Sequence, residues 1–185
     1  MSSPASDPIA QLELVRSKLR DIADFPKPGI LFRDITPVLA DRAALRAAID
    51  LHVACVADLA GKVDKIVGIE SRGFLFGMAV ADRLGAGFVV VRKPGKLPAA
   101  TLEASYALEY GTDRLQIHAD AIVPGERVLV IDDLLATGGT AAAARDLASR
   151  TGAEVVGALF LIELRALGGR AKLPGLRVEA VLGFD

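Results

Sequence analysis

Apolar positions recur at helical spacing in two stretches near the start of the chain. The first begins with a helix-start signal, Asp7 followed by Pro8, and its apolar residues are Ile9, Leu12, Val15, Leu19 and Ile22. The second follows Asp41 and ends at Gly61, and its apolar face carries Leu45, Ile49, Val53, Val56 and Leu59. Each stretch predicts an amphipathic helix. The turn-rich segment between them, PKPGILFRDITP, predicts irregular structure.

Apolar runs without helical periodicity predict the strands. They are KIVGI (65–69), GFVVV (87–91), RVLVI (127–131) and EVVGALFLI (154–162), and VEAVLGF (178–184) is a candidate final strand. The three intervals between the first four runs hold a helix, a long loop and another helix. This alternation predicts an α/β fold with a mostly parallel central sheet flanked by helices.

Composition limits the classes of protein to consider. The chain has 185 residues, 52% of them hydrophobic, which suits one domain over 1–185 with a polar tail at 1–8. The net charge of −1 gives no sign of nucleic-acid binding, and no apolar run approaches the roughly 20 residues of a membrane span. The tail lacks the features of a signal peptide, so we expect a cytoplasmic protein.

The most informative segment is VLVIDDLLATGGT, residues 128–140. Its strand ends at Asp132 and Asp133, where ligands of open α/β sheets bind. The next residues lead into an alanine-rich helix, whose backbone N–H groups and dipole favour a phosphate; they are Ala136, Thr137, Gly138, Gly139 and Thr140. The two carboxylates would repel that phosphate but can accept hydrogen bonds from sugar hydroxyls. The segment therefore predicts a site for a phosphorylated ribose.

A second turn follows the strand KIVGI. Glu70, Ser71, Arg72 and Gly73 lead from that strand into another helix. If the ribose phosphate lies at 136–140, a diphosphate on the opposite carbon of the sugar would meet this turn, where N–H groups and the Arg72 guanidinium can take its charge. The chain has neither GxxxxGK[ST] nor GxGxxG, so the P-loop and the dinucleotide fingerprint are excluded.

Phe32 lies within the turn-rich segment, beside Arg33 and Asp34. An aromatic ring there either fills the core or forms a platform for a flat ligand. Aromatic residues are scarce, with seven Phe, two Tyr and no Trp, which favours a ligand.

Residues 128–140 resemble the phosphoribosyl diphosphate (PRPP) signature of the type I phosphoribosyltransferase family. FPKPGILFRDITPVL (25–39), GIESRGFLFG (68–77), VVRKPGKLP (90–98) and ASYALEYG (104–111) resemble segments of its adenine-using members, in the same order. The resemblance implies the family's fold, with a small N-terminal base-binding hood within about 9–40. It also implies purine salvage, in which the phosphoribosyl group of PRPP passes to adenine and yields AMP and diphosphate.

The resemblance also implies roles for single residues. Phe32 stacks on adenine while the backbone around Leu31 and Arg33 recognises its edge, and Ser71 and Arg72 belong to the pyrophosphate loop. Arg92 and Lys93 form a basic pair that neutralises diphosphate, with the arginine reaching a neighbouring subunit, so a homodimer is expected. Glu109 exchanges a proton with the base, and Tyr110 packs near the diphosphate and sugar.

The segment from Pro94 to Gly111 is too long and too rich in small residues for a tight connection, so we expect a lid with a mobile tip. Closure would exclude water from a cation-like sugar. No His, Cys and carboxylate cluster predicts a protein-caged metal, so Mg²⁺ is expected to be held mainly by diphosphate and ribose oxygens, with unknown protein ligands.

Two other functions remain open at this point. One is a transferase of the same fold that uses guanine, hypoxanthine or xanthine. The other is a PRPP-sensing regulator without turnover, which would be expected to carry a nucleic-acid-binding extension. The LEYG segment and the aromatic hood favour the adenine-using enzyme over both.

Overall fold

The computed structural model describes residues 7–107 and 112–185. Its helices are α1 Pro8–Lys18, α2 Thr36–Ala40, α3 Arg42–Cys55, α4 Gly73–Leu84 and α5 Gly139–Arg150. Its strands are β1 Arg20–Ala23, β2 Leu31–Asp34, β3 Lys65–Ile69, β4 Gly87–Val91, β5 Thr101–Ala107, β6 Thr112–His118, β7 Arg127–Leu135, β8 Glu154–Leu164 and β9 Val178–Phe184. Short 3-10 turns lie at Ala57–Leu59, Arg165–Leu167 and Gly169–Lys172.

The central sheet has the strand order β4-β3-β7-β8-β9, and every pairing between these neighbours is parallel. This confirms the predicted parallel sheet flanked by helices. The chain leaves β3 toward β4 and then returns to place β7 on the other side of β3. The strand order therefore reverses between β3 and β7, and the carboxyl ends of those two strands form the usual ligand-binding crevice of such sheets.

Hydrophobic side chains cover both faces of the sheet. Ile66 and Ile131 belong to a cluster on the side of α3 and α4, whereas Val67 and Val130 belong to one with α5 and with β5 and β6. Because neighbouring residues of a strand face opposite ways, burial on both faces requires a continuous apolar run rather than an alternating one. The first four predicted strands contain such runs, and all five predicted strands lie in the sheet.

The first predicted helix is too long. Helix α1 ends at Lys18, and residues up to Ala23 form strand β1, which pairs antiparallel with β2. The prediction of irregular structure around Phe32 is wrong for the same reason, since Ile22 lies opposite Phe32 in this two-stranded sheet. Nε of Arg20 also donates to the Asp34 carboxylate at 3.0 Å. These contacts between distant residues outweigh the helical spacing of Ile22.

The second predicted helix starts where expected. The Asp41 carboxylate accepts the N–H groups of Ala43 and Ala44, both at 3.0 Å, and caps α3. The helix ends earlier than predicted, at Cys55, and a short 3-10 turn carries the chain toward Gly61, which has φ of +67°.

Part of the predicted lid between Pro94 and Gly111 is a β-hairpin. Strands β5 and β6 pair antiparallel from Thr101 opposite His118 to Ala107 opposite Thr112. Leu115 and Ile117 are fully buried against the sheet, which explains the pairing. The loop prediction is therefore wrong for 101–107, and residues 108–111 lie outside the described part of the chain.

Candidate active site

A cavity of about 250 Å³ opens at the carboxyl edge of the sheet, where β3 and β7 end. Three parts of the chain line it: the turn after β3, one residue each from the β4–β5 connection and from β5, and the segment from the end of β7 into α5. The lining residues are Glu70, Ser71, Arg72, Lys93, Tyr106, Asp132, Asp133, Leu134, Leu135, Ala136, Thr137, Gly138, Gly139, Thr140 and Ala141. The structure thus brings both predicted turns and both carboxylates into one cavity.

The segment 136–140 forms the wall of the cavity that suits an anion. Helix α5 begins at Gly139, and no side chain caps its N-terminus. Gly138 has φ of +80°, a left-handed conformation that favours glycine, and its carbonyl accepts the N–H of Ala142 at 2.9 Å. The N–H groups of the first turn therefore point out of the helix, where the dipole favours negative charge.

Asp132 and Asp133 lie within β7, which continues to Leu135, so they belong to the strand itself and do not come after its end. Asp133 is 4% exposed, and its carboxylate receives Nε of Arg72 at 2.9 Å. A carboxylate oxygen of Asp132 accepts the N–H of Asp133 at 2.9 Å. Burial raises the pKa of both carboxyl groups, and the charge of Asp133 raises the pKa of Asp132 further.

Helix α4 approaches these carboxylates closely because it starts with glycine. A Cβ on Gly73 would lie 2.7 Å from the carbonyl oxygen of Ile131 and 3.0 Å from a carboxylate oxygen of Asp132. Any side chain at this position would push the turn that carries Ser71 and Arg72 away from β7. Gly73 therefore allows the two sides of the cavity to meet.

Glu70 lies in the second predicted turn, where no role of its own was assigned to it from sequence, and it organises the basic residues beside the cavity. Its carboxylate accepts Nζ of Lys96 at 2.7 Å, the N–H of Lys93 at 2.8 Å and a guanidinium nitrogen of Arg92 at 3.2 Å. Partial burial raises the pKa of Glu70, but these three hydrogen bonds outweigh it and lower the pKa to about 2. Glu70 is therefore a fixed anion that holds the side chain of Arg92 and the backbone of Lys93. Its position in the same turn as Arg72 was the available signal.

The two residues of the basic pair differ in where they point. Lys93 lines the cavity, and its ammonium contacts the Asp113 carboxylate and donates to the hydroxyl of Tyr106 at 3.0 Å. Although partial burial opposes it, the contact with Asp113 raises the pKa of Lys93. Arg92 is not among the lining residues, and its guanidinium lies by Glu70 and the carbonyl of Lys96.

Phe32 lies next to the cavity, on β2. The Arg72 guanidinium carbon is 5.5 Å from the centre of its ring, and the Phe25 ring meets it edge-on at 5.1 Å. Leu31 is 48% exposed, and Arg33 pairs with Asp21 and lies over the Phe184 ring. None of the three hood residues is among those that line the cavity, yet Arg72 connects Phe32 with the carboxylates inside it.

Two predicted catalytic residues, Glu109 and Tyr110, lie outside the described residues. Within 7–107 and 112–185, no group of three or more His, Cys, Asp or Glu side chains is arranged to hold a metal ion. In the same ranges, no helix has the length and apolar character needed to cross a membrane.

Comparison with known sequences identifies relatives along nearly the whole chain. A model of the phosphoribosyl transferase domain matches residues 35–172. The chain is 58% identical over 171 residues to the adenine phosphoribosyltransferase of Acidothermus cellulolyticus, across 92% of this chain and 95% of that protein. It is 52% identical over 187 residues to the adenine phosphoribosyltransferase of Paracoccus denitrificans, across 100% of this chain and 99% of that protein.

Solved structures of adenine phosphoribosyltransferases are also similar to this chain. The adenine phosphoribosyltransferase of Thermoanaerobacter pseudethanolicus matches with a TM-score of 0.89 and 51% identity, over 94% of this chain and 99% of that one. The Saccharomyces cerevisiae enzyme of the same name, complexed with an imino-altritol bisphosphate and adenine, matches with a TM-score of 0.89 and 39% identity, over 94% and 99%. The similarity thus includes both the sheet and the hood.

Proposed function

The chain belongs to the phosphoribosyltransferase family, as an adenine-using enzyme of purine salvage, and we propose that it joins adenine to PRPP in the cavity at the carboxyl edge of its sheet. The products are AMP and diphosphate. This family membership agrees with the resemblance seen in the sequence. Each part of the reaction can be assigned to particular residues of this chain.

The observation that carries the assignment is the position of two carboxylates, Asp133 buried and Asp132 half-buried, between two helix N-termini. Asp132 and Asp133 lie between the start of α4 and the start of α5, with Arg72 paired to Asp133. A ligand with anionic groups at both ends and hydroxyl groups in the middle matches this arrangement. PRPP has this pattern, because its ribose carries a phosphate at one end and a diphosphate at the other.

We assign the parts of PRPP accordingly. The 5-phosphate binds the N–H groups of residues 136–140 at the start of α5. The ribose hydroxyls donate to Asp132 and Asp133. The diphosphate binds the turn of Ser71 and Arg72, with Lys93 beside it; Lys93 would leave Asp113 and Tyr106 to do so.

Adenine is assigned to the hood, stacked on the ring of Phe32. The backbone around Leu31 and Arg33 pairs with the base through one N–H and one C=O, which matches the amino donor and ring acceptor of adenine. A 6-oxopurine presents the opposite pattern, and unpaired buried groups would cost on the order of a few kcal/mol. Because Arg72 lies within 5.5 Å of the Phe32 ring centre, the base would lie close to the sugar.

The reaction replaces one bond at C1 of the sugar with another. A ring nitrogen of adenine forms the new bond, and the C1–oxygen bond to diphosphate breaks, with its electron pair leaving on diphosphate. The proton displaced from the base goes to Glu109, whose affinity for it rises when the site excludes water. Arg72 and Lys93 stabilise the negative charge that develops on the leaving group.

Mg²⁺ fits the arrangement of side chains without a protein cage. Asp132 and Asp133 line the cavity, and they would contact the ion or its waters while diphosphate and ribose oxygens hold it. When bound, the ion neutralises part of the charge of the diphosphate.

The decisive experiment measures diphosphate and AMP release from adenine, hypoxanthine and guanine in parallel, with PRPP and Mg²⁺. We expect turnover of adenine only when both are present, and rates lower by orders of magnitude with the other bases. Preferred turnover of a 6-oxopurine would assign the chain to a sister enzyme. Tight PRPP binding without turnover of any base would favour a regulator.

We further propose that the enzyme is a single-domain cytoplasmic protein that acts as a homodimer, with Arg92 contributing to the partner's site. Mixed dimers of Asp133→Asn and Arg92→Ala subunits test this. If Arg92 acts across the interface, each mixed dimer has one site with both residues intact, and activity returns. If Arg92 acts within its own chain, both sites lack a residue and activity stays low.

A further inference from the structure

We propose that the segment from Glu163 to Lys172, named here the buttress, positions the phosphate-binding loop 136–140 from behind, and that Arg170 is the positioning residue that fixes it. The inference rests on the function proposed above, since it concerns how the same site binds the 5-phosphate of PRPP. The buttress itself does not line the cavity.

The buttress touches the phosphate loop through two glycines. A Cβ on Gly138 would collide with the carbonyl group of Gly169, and a Cβ on Gly169 would collide with the carbonyl oxygen of Ala136 and lie 3.0 Å from the Leu135 side chain. The two backbones are therefore in direct contact, without side chains between them. Because backbone cannot rotate aside as a side chain can, a shift of Gly169 must be followed by the loop.

Gly138 is the residue of the loop where such a shift matters most. It is the N-cap of α5, and its left-handed backbone turns the chain from the loop into the first helical turn. The N–H groups assigned to the 5-phosphate come directly after it. Their direction is therefore set at the residue that the Gly169 carbonyl contacts.

Arg170 fixes the buttress to the sheet. Two of its nitrogens bond the two carboxylate oxygens of Glu163 at 2.6 and 2.8 Å, and its Nη1 donates to the carbonyl of Val178 at 2.7 Å. The Glu163 residue is only 6% exposed, and the paired guanidinium lowers its pKa, so it is held as a buried anion. A bidentate pair of this kind fixes orientation as well as distance.

The same residues connect the buttress to the loop through the sheet. Glu163 on β8 lies directly opposite Leu135, the last residue of β7 before the loop, and opposite Gly183 on β9. Strand β8 thus holds the start of the loop, and the buttress holds the loop at Gly138. Arg170 bonds Glu163 on β8 and Val178 on β9, and it directly follows Gly169 in the sequence. Binding of an anion by N–H groups depends on such prior orientation.

The test compares variants of the buttress by two measurements: steady-state kinetics with PRPP varied, and calorimetric titration of PRPP without adenine. Arg170→Met keeps much of the side chain's length without the guanidinium, and Gly169→Ala adds only a methyl group against Ala136. We expect each to raise both the KM and the Kd for PRPP by about tenfold. The KM for adenine should stay unchanged, and Arg170→Lys should fall between Arg170→Met and the parent protein.

Matched controls lie near the amino ends of β8 and β9, away from the cavity at the carboxyl ends. Arg177 also bonds carboxylates and a carbonyl: one guanidinium nitrogen lies 3.0 and 2.8 Å from the two carboxylate oxygens of Asp58, Nε donates to Glu179 at 2.9 Å, and a third nitrogen donates to the carbonyl of Cys55 at 2.8 Å. A methyl group on Gly157 would also meet a carbonyl, that of Arg177 at 3.3 Å, and a leucine, Leu129 at 3.1 Å, which are milder contacts than those at Gly169. Arg177→Met and Gly157→Ala should lower thermal stability and leave the Kd for PRPP unchanged.

A purely structural role for Arg170 would give a different result. In that case Arg170→Met and Gly169→Ala would lower thermal stability with no selective change in PRPP binding, as the controls do, and the proposal would be overturned. An equal rise in the KM of adenine and of PRPP would overturn it as well. The proposed function is tested separately, by turnover of adenine by the parent protein. The comparison of Kd values for PRPP among the variants does not depend on turnover.

Discussion

Nε of Arg72 lies 2.9 Å from a carboxylate oxygen of Asp133, and this ion pair joins the turn after β3 to the strand β7. The two partners differ in exposure, since the Arg72 side chain is 40% exposed and that of Asp133 only 5%. Arg72 can therefore contact a ligand in the cavity while its positive charge balances the negative charge of a carboxylate that is shielded from water. The turn of Ser71 and Arg72 is consequently held against the strand that carries Asp132 and Asp133.

Replacement of either carboxylate should weaken PRPP binding. Asp133→Asn and Asp132→Asn each keep the shape of the side chain but lose a charged acceptor, and such hydrogen bonds contribute about 1.5 to 3 kcal/mol. We expect the KM for PRPP to rise about tenfold or more, measured by steady-state titration. Thermal unfolding serves as the control for folding. Unchanged kinetic constants in both variants would remove the ribose assignment.

Truncation of Phe32 should affect adenine rather than PRPP. A base loses roughly 1 to 3 kcal/mol when its stacked aromatic partner is removed, so Phe32→Ala should raise the KM for adenine several-fold to about a hundredfold. Phe32→Tyr keeps the flat ring and should behave like the parent enzyme. An unchanged adenine KM in Phe32→Ala would return Phe32 to the role of a packing residue.

The sheet could be predicted from sequence because its strands are buried on both faces. Continuous apolar runs such as 65–69 and 127–131 have few other interpretations, and two of them end in turns that carry the candidate chemistry. The strands β1, β2, β5 and β6 gave no such signal, because none of them is a continuous apolar run and each is stabilised by its partner in a two-stranded antiparallel sheet. Ile22 is an example, because its spacing fits a helix and only its pairing with Phe32 places it in a strand.

Some residues of the candidate site could likewise be identified from the sequence, and others could not. Asp132, Asp133 and residues 136–140 could be selected because one continuous segment carries them. Glu70 could not, because its importance comes from bonds to Lys93 and Lys96, more than twenty residues away. Tyr106 was missed for a similar reason, since only the hairpin brings its hydroxyl to Lys93.

Glu109 remains a prediction from sequence, and a kinetic experiment can test it. Glu109→Leu removes the group assigned to the displaced proton, so kcat should fall by about 10² to 10⁴ while PRPP binding changes little. The control is Glu103→Gln, at another glutamate of the same segment, which pairs with Arg114 at 2.9 Å. Full activity of Glu109→Leu would assign proton exchange to another group.

Acid should destabilise the protein through His52. This side chain is fully buried; its Nδ1 bonds the carbonyl of Ala48 at 2.7 Å and its ring stacks on Phe76 at 5.0 Å between centres. Burial lowers the pKa of His52 from 6.5 to about 4, despite the bond to Ala48.

Because its pKa is lower in the folded state, the unfolded chain binds the proton of His52 more readily between pH 6.5 and about 4. The contribution of neutral His52 to stability is therefore complete above pH 6.5 and is lost as the pH falls through this window, by up to about 3 kcal/mol. Chemical denaturation at pH 7, 6, 5 and 4 measures the free energy of unfolding. The free energy of unfolding of His52→Leu should decline less over this range than that of the parent protein. The control is His118→Gln, at the chain's other histidine, which keeps His52 and should decline as the parent protein does. An identical decline in the His52→Leu variant would show that other groups cause the loss of stability in acid.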